Sequence, residues 1–129
     1  GMIPKFRGFR TKTEEWVEGN LIYREEPYLH DIVTPVGNSS TISYAVERDS
    51  IGQWTGLKDQ NGVEIYEGDI LYFEPYKTHS NDRVVEYIDG AYHGRLIRNG
   101  YSKLLAECVY ETKVIGNIYE NPELLEVTE

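Results

Sequence analysis

Gln53-Trp54-Thr55-Gly56-Leu57-Lys58-Asp59-Gln60-Asn61-Gly62-Val63-Glu64-Ile65-Tyr66-Glu67-Gly68-Asp69-Ile70 is the stretch whose reading decides the fold. Two short runs of large residues, 52–57 and 63–66, flank a tight polar turn. Asn61-Gly62 tolerates positive φ there, and Asp59 can start the turn by accepting backbone N–H groups. Further on, Gly68 lets the chain reverse, and the Asp69 carboxylate can tie that corner down before the apolar run 70–73. Trp54 and Leu57 bring large apolar area to a core, and Ile65 and Ile70 point inward on either side of the corner. A strand, a Gly-Asp corner and a second strand suit a small barrel of short strands.

The rest of the chain follows the same rhythm. Gly19-Asn20, Gly37-Asn38, Asp89-Gly90, Asn99-Gly100 and Gly116-Asn117 mark further turns. Residues 5–10 and 17–24 read as a hairpin or meander pair, with a bulge or twist near Gly8 because Phe6 and Phe9 fall three apart. Residues 40–47 alternate, with Ile42, Tyr44 and Val46 on one face. Residues 83–88 and 91–97 flank Asp89-Gly90, the strongest hairpin signal in the chain; Val84, Glu86 and Ile88 face one way, Val85 and Tyr87 the other. Residues 113–119 read as a late strand. Tyr101, Leu104, Leu105, Cys108 and Val109 carry a helical period with Ser102 as N-cap, although Cys108 to Tyr110 also fits a strand. Asn121-Pro122 should open one C-terminal helical turn that docks Leu124 and Leu125. Pro75 to Asp82 has no apolar pattern and is expected to be a mobile loop. The expectation is one mainly β domain over residues 1–129, with an N-terminal β subregion (1–50) and a barrel-like subregion (51–129).

Composition narrows the class. The 129 residues are enough for a real core, and a mean hydropathy of −0.53 fits an ordinary globular chain. No apolar run is long enough to span a bilayer, and no leader pattern is visible at the start, so no membrane is expected as a partner. Gly1 ahead of Met2 reads as the remnant of a removed tag. Cys108 is the single cysteine, which excludes an internal disulfide and multi-cysteine zinc sites and points to a reducing compartment. Asn38-Ser39-Ser40 is then a chance match to a glycosylation acceptor.

The net charge is −9, which argues against nucleic acid as the main partner. Its distribution is uneven. Lys5, Arg7, Arg10 and Lys12 precede the first acid, Glu14. From Leu104 onward six glutamates face Lys113 alone. A solvated surface explains this, and so does a basic edge that meets an acidic region of another copy.

Candidate chemistry is sparse. His30-Asp31 sit side by side, so on a strand they point to opposite faces, which suits a surface pair better than a proton relay. His79, Asp82 and His93 lack metal-ligand spacing. Glu64, Glu67 and Asp69 offer too few oxygens for calcium, and the corner role explains Asp69. Cys108 lies on an apolar stripe and reads as an inert thiol. No phosphate loop, nucleophile elbow or zinc-protease pattern is present. No catalytic, cofactor-binding or metal residue is therefore named, and no cofactor is expected. The remaining surface is aromatic and basic: Tyr72, Tyr76, Arg83, Tyr87, Tyr92, Arg95, Arg98 and Tyr101, with Tyr66 nearby in sequence. It suits a protein partner or, as the alternative, stacking on single-stranded nucleic acid, which the acidic charge disfavours.

The decisive stretch 53–70 and the tail Val114-Ile115-Gly116-Asn117-Ile118-Tyr119-Glu120-Asn121-Pro122-Glu123-Leu124-Leu125 resemble, in order and separation, the two signatures of the YopX-like proteins, small phage and prophage products. Lys5-Phe6-Arg7 also fits, while Gly8-Phe9 departs from the small residue and Trp of the family pattern. Residues 27–40 resemble nothing familiar. The resemblance implies a β-rich fold with an SH3-like barrel in the C-terminal part, and a setting in the bacterial host cytoplasm. It supplies no activity and carries no functional residue over. The leading functional reading is a non-enzymatic binding or assembly module, self-associating or with a protein partner. The alternatives are a single-strand binder and, last, an enzyme of unknown class.

Overall fold

The computed structural model describes residues 2–126, and the chain divides into two units, Gly1–Trp54 and Thr55–Glu129. The protein is mainly β, with antiparallel sheets and one short helix.

In the first unit, β1 (Phe6–Arg10), β2 (Glu15–Ile22), β3 (His30–Val36) and β4 (Ser40–Val46) run as an antiparallel meander. The start of β5 (Gly52–Lys58) adds to β1, with Gln53 opposite Phe6 and Gly52 opposite Arg7. The meander curls until β4 meets β1: Glu47 N–H donates to Phe9 C=O and Phe9 N–H donates to Ser50 Oγ. Gly8 permits that approach, since a Cβ there would lie 2.6 Å from Val46 Cγ2. The bulge expected near Gly8 is absent. Phe6 to Arg10 pair in unbroken register with Gly19 to Glu15, so the glycine serves packing and not a kink. Ile32 and Val46 are fully buried and anchor this unit.

β3 arises where the sequence suggested nothing. It holds only three aliphatic residues among His30, Asp31, Thr34 and Pro35, but it lies between β2 and β4, and their ladders supply its hydrogen bonds. Pro35 is tolerated because the β2 ladder covers only Asp31 to Val33.

In the second unit, the end of β5 turns into β6 (Glu64–Tyr66). An open five-stranded sheet follows in the order β10-β9-β8-β7-β11. Its members are β7 (Asp69–Phe73), β8 (Arg83–Ile88), β9 (Ala91–Leu96), β10 (Ser102–Leu104) and β11 (Thr112–Asn117), with α1 (Leu105–Cys108) between the last two. The arrangement is barrel-like without closing. Ile65, Leu71, Val85, Leu105 and Val109 form the core, with Leu57, Tyr92, Cys108 and Val114 packed on it. The other face of the sheet also buries Ile70 and Val84, so the alternation read for β8 does not leave that side wet.

Two expectations need correction here, and a third, the loop over 75–82, gains detail. The helix expected from residue 101 is a four-residue turn from Leu105, and Ser102 to Leu104 pair instead with Arg95 to His93. An open β9 edge offers interstrand bonds that a short helix cannot match. The apolar stripe is thereby split: Tyr101 and Leu104 are exposed, Leu105 and Val109 buried. The loop expected over 75–82 carries 3-10 turns at Glu74–Tyr76 and His79–Asn81 and ends on a buried Asp82. Asn121 does not cap the C-terminal 3-10 turn Pro122–Leu125; its Oδ1 accepts from Asn117 N–H, and only Leu124 docks while Leu125 stays exposed. The Asn117 side chain in turn accepts from the N–H groups of Tyr119 and Glu120.

The decisive stretch works through its two aspartates. Asp59 is buried; its Oδ1 accepts from Asn61 N–H at 2.8 Å and Val63 N–H at 2.9 Å. Its Oδ2 accepts from Val114 N–H at 2.9 Å, on β11 and 55 residues away in sequence. Asp69 Oδ2 accepts from Tyr66 N–H at 2.7 Å, and at the same corner Gly68 donates to Val85 C=O and accepts from Ile118 N–H. Asp59→Ala strips three N–H groups of a charged acceptor, so unfolding free energy should fall by about 3 kcal/mol or more. Urea denaturation reads this directly, with Asp59→Asn falling between the variant and wild type. A loss below about 1 kcal/mol would contradict the role assigned to this carboxylate.

Candidate functional site

The aromatic and basic residues singled out between 72 and 101 lie on both faces of the second unit's sheet. The strand register puts Tyr72 and Arg95 on one face, and Arg83, Tyr87 and Tyr92 on the other. Tyr87 and Tyr92 are cross-strand neighbours with rings edge to face at 5.0 Å. Tyr76 packs against Phe73 in the 3-10 turn after β7, while Arg98 and Tyr101 lie in the exposed β9–β10 connection. Tyr66 is buried. Two of the guanidinium groups are engaged: Arg95 pairs with Glu86 at 2.9 Å, and Arg83 donates to Gly94 C=O at 2.7 Å.

The ionisable candidates resolve into structural roles. His30 and Asp31 point to opposite faces of β3. Asp31 accepts from Arg24 and Ser43, and that ion pair holds its carboxyl below the usual range. Both ring nitrogens of buried His30 face donors, Arg24 N–H at 2.9 Å and Arg48 Nη1 at 3.2 Å. Burial, and then the Arg48 charge, lower its pKa. Burial pushes the Cys108 thiol up, against the opposing pull of Arg83, the Gly94 backbone and Lys103. No cluster of three or more His, Cys, Asp or Glu is placed to hold a metal among the described residues, and no helix there is long and apolar enough to cross a membrane.

Among the described residues, each unit holds a concavity of more than about 500 Å³, and a smaller one of ≈ 340 Å³ in the second unit is lined by Tyr76, Arg83 and Cys108. The first is an open groove of ≈ 710 Å³ in the N-terminal unit, running from Ile3 and Pro4 past Trp16 and Val17 to Pro35, Tyr44 and Trp54. Three of the four early cations noted in the sequence lie on its aromatic rings. Lys5 Nζ sits 4.9 Å from the Trp54 centroid, Arg7 Cζ 4.7 Å from Trp16 and Arg10 Cζ 4.5 Å from Tyr44. Lys5 is also 3.7 Å from Glu18. The buried Trp54 Nε1 has no hydrogen-bond partner. Sequence reasoning missed this groove because Trp16, Tyr44 and Trp54 are far apart in the chain. The cluster of early cations was its only visible signal.

The second concavity, ≈ 510 Å³, lies in the C-terminal unit between the His79–Asn81 turn, residues 97–98 and the C-terminal 3-10 turn. Asp82 lines it, and His79 Nδ1 is 2.8 Å from Asp82 Oδ2.

Comparison with known proteins now gives the fold its relatives. The family profile described as YopX protein matches residues 5–126, a span that includes both sequence signatures, and the chain belongs to the YopX family. The crystal structure of protein EF1440 from Enterococcus faecalis is similar over 98% of this chain and 100% of that one, with a TM-score of 0.61 and 28% identity. No curated protein matches. Neither the family nor the enterococcal protein bears the name of a reaction, ligand or partner.

His30 generates a pH prediction. A pKa lowered on folding means the neutral ring is the stabilising form. That contribution is complete above about pH 6.5 and is lost as pH falls from there through the lowered folded value. The urea midpoint should therefore drop between pH 7.5 and 5.5, and His30→Gln should flatten that dependence. An equal slope in the variant would show that other groups carry it.

Proposed function

We propose that this YopX-family chain is a non-enzymatic binding or assembly module that associates with further copies of itself through the groove of its N-terminal unit. The observation that carries the reading is an apolar groove lined by Lys5 and by three aromatic rings, Trp54, Trp16 and Tyr44, each of which carries a cation, Lys5, Arg7 and Arg10 in turn. Cation–aromatic stacking keeps positive charge at the groove surface beside flat apolar area, the combination enriched at protein interfaces. An acidic segment complements it.

The chain carries such a segment. Residues 1–54 hold six cations and eight acids, whereas 55–129 hold seven cations and fourteen acids, so the net charges are −2 and −7. Most of the excess falls after Leu104, where six glutamates face one lysine. Charge complementarity of this kind accelerates association and weakens it with salt.

The single-strand reading finds less support, because Arg83 and Arg95 already serve protein acceptors and both units carry a net negative charge. A phage or prophage setting in the bacterial cytoplasm belongs to the same proposal and rests on the family resemblance and the lone cysteine.

Size-exclusion chromatography with light scattering tests the proposal. The mass should rise with concentration at low salt and return to 14.9 kDa at about 0.5 M NaCl, where the Debye length is only a few ångströms. The double variant Lys5→Glu/Arg10→Glu should stay monomeric, and mixing it with Glu120→Lys/Glu123→Lys/Glu126→Lys should restore assembly. A strict monomer at high concentration and low salt overturns the reading.

A further inference from the structure

His30 meets a conflict of donors that the first unit tolerates only while the ring is neutral. The side chain is buried at the start of β3, opposite Val46. Arg24 N–H points at Nδ1 from 2.9 Å, and Arg48 Nη1 lies 3.2 Å from Nε2. Both neighbours can only donate. A neutral imidazole has one bare nitrogen, so it accepts from one of them and turns its own N–H towards the other. An imidazolium has no bare nitrogen. It loses the remaining hydrogen bond and sets a positive charge beside the guanidinium.

The same guanidinium fastens the β2–β3 connection. Arg48 opens the 3-10 turn Arg48–Ser50 after β4, and its Nη2 donates to Arg24 C=O at 3.0 Å and to Tyr28 C=O at 2.6 Å. Arg24 is thus held twice, by His30 at its N–H and by Arg48 at its C=O. The connection it anchors carries Tyr23, Tyr28 and Leu29 exposed. The other charges nearby do not relieve the conflict. The Arg24 guanidinium pairs with Asp31 at 2.7 Å on the opposite face of β3, where Ser43 also donates to Asp31. Glu47, just before the 3-10 turn, accepts from Thr11, and Glu25, Glu26 and Asp49 are exposed. No carboxylate among the described residues bonds to the ring. The Tyr23 ring lies 4.9 Å from the imidazole and favours a cation there, but weakly, because it is exposed.

We propose that His30 and Arg48 form a proton-operated clasp on the β2–β3 connection: beside a neutral ring Arg48 ties down Arg24 and Tyr28, and protonation of the ring expels the guanidinium and frees residues 23–29. Burial and then the Arg48 charge lower the His30 pKa, which fixes the direction. The clasp is closed above about pH 6.5 and opens as pH falls through the lowered value. Opening leaves the ladders of β1 to β4 in place, since neither side chain contributes to them. It presents Tyr23, Tyr28 and Leu29 on a freed segment. Neither His30 nor Arg48 lines the groove, so the clasp does not depend on self-association.

The test is an NMR titration of the full chain in dilute solution from pH 7.5 to 4.5, following the His30 ring and backbone 15N relaxation. Order parameters over residues 24–29 should fall from about 0.85 to below about 0.6 at the midpoint of the ring, while Ile32 and Val46 stay near about 0.85. The Arg24 amide shift should follow the same midpoint. Arg48→Met should loosen residues 24–29 already at pH 7.5 and raise the His30 midpoint by removing a like charge. A ring that stays neutral down to pH 4.5 overturns the proposal, as does a ring that takes its proton while residues 24–29 keep their order. Loss of order at Ile32 and Val46 with the same midpoint also overturns it, because the event is then unfolding of the meander. These outcomes are read on the wild-type chain and do not require the variant to fold. An Arg48→Met chain that folds with an unshifted His30 midpoint shows that Arg48 does not oppose the ring, and overturns the clasp as well.

Discussion

One carboxylate holds the architecture of the second unit together. Asp59 closes its own turn through Asn61 and Val63 and reaches Val114 on the last strand. The β11 edge is therefore tied to the β5–β6 turn at the same point where Gln60 N–H donates to Thr112 C=O. Val114 packs on the core, so this polar contact also sets how β11 covers the apolar cluster. The Gly68-Asp69 corner works in parallel, joining β6 to β7 and bonding to both Val85 and Ile118. Without these buried acceptors, several backbone N–H groups would be desolvated without a partner.

The two units solve the problem of charge in opposite ways. In the first, cations lie on aromatic faces and keep their charge at the surface of an apolar groove. In the second, an acid is driven into the interior beside a single histidine and left with one unsatisfied oxygen. Stacking is compatible with solvent and with a large partner.

Legibility followed the range of the interactions. The turns at Asn61-Gly62 and Asp89-Gly90, the Gly68-Asp69 corner and the strands around them were readable because their hydrogen bonds close within a few residues. β3 was not readable, since His30, Asp31, Thr34 and Pro35 spoil the alternation and the strand exists only because β2 and β4 flank it. The helix over 101–109 is confined to Leu105–Cys108 for a related reason: its periodic stripe was real, yet Ser102 to Leu104 found a better set of bonds on the β9 edge. Neither concavity was legible, because Trp16, Tyr44 and Trp54, or Asp82, Ile97 and Leu124, meet only after long stretches of chain have folded.

By itself the sequence determined the β class, the positions of its tight turns, the acceptor roles of Asp59 and Asp69 and the family signatures, because each depends on local backbone geometry written in Gly, Asn and Asp. Tertiary structure alone decided that Asp59 would accept from the distant Val114 N–H, that Gly8 would admit Val46, that Lys5, Arg7 and Arg10 would rest on aromatic rings, and that Asp82 would be buried with an oxygen unpaired. Those outcomes turn on packing between residues remote in the chain. Composition and spacing carry no record of which remote residues will be brought within a few ångströms of one another.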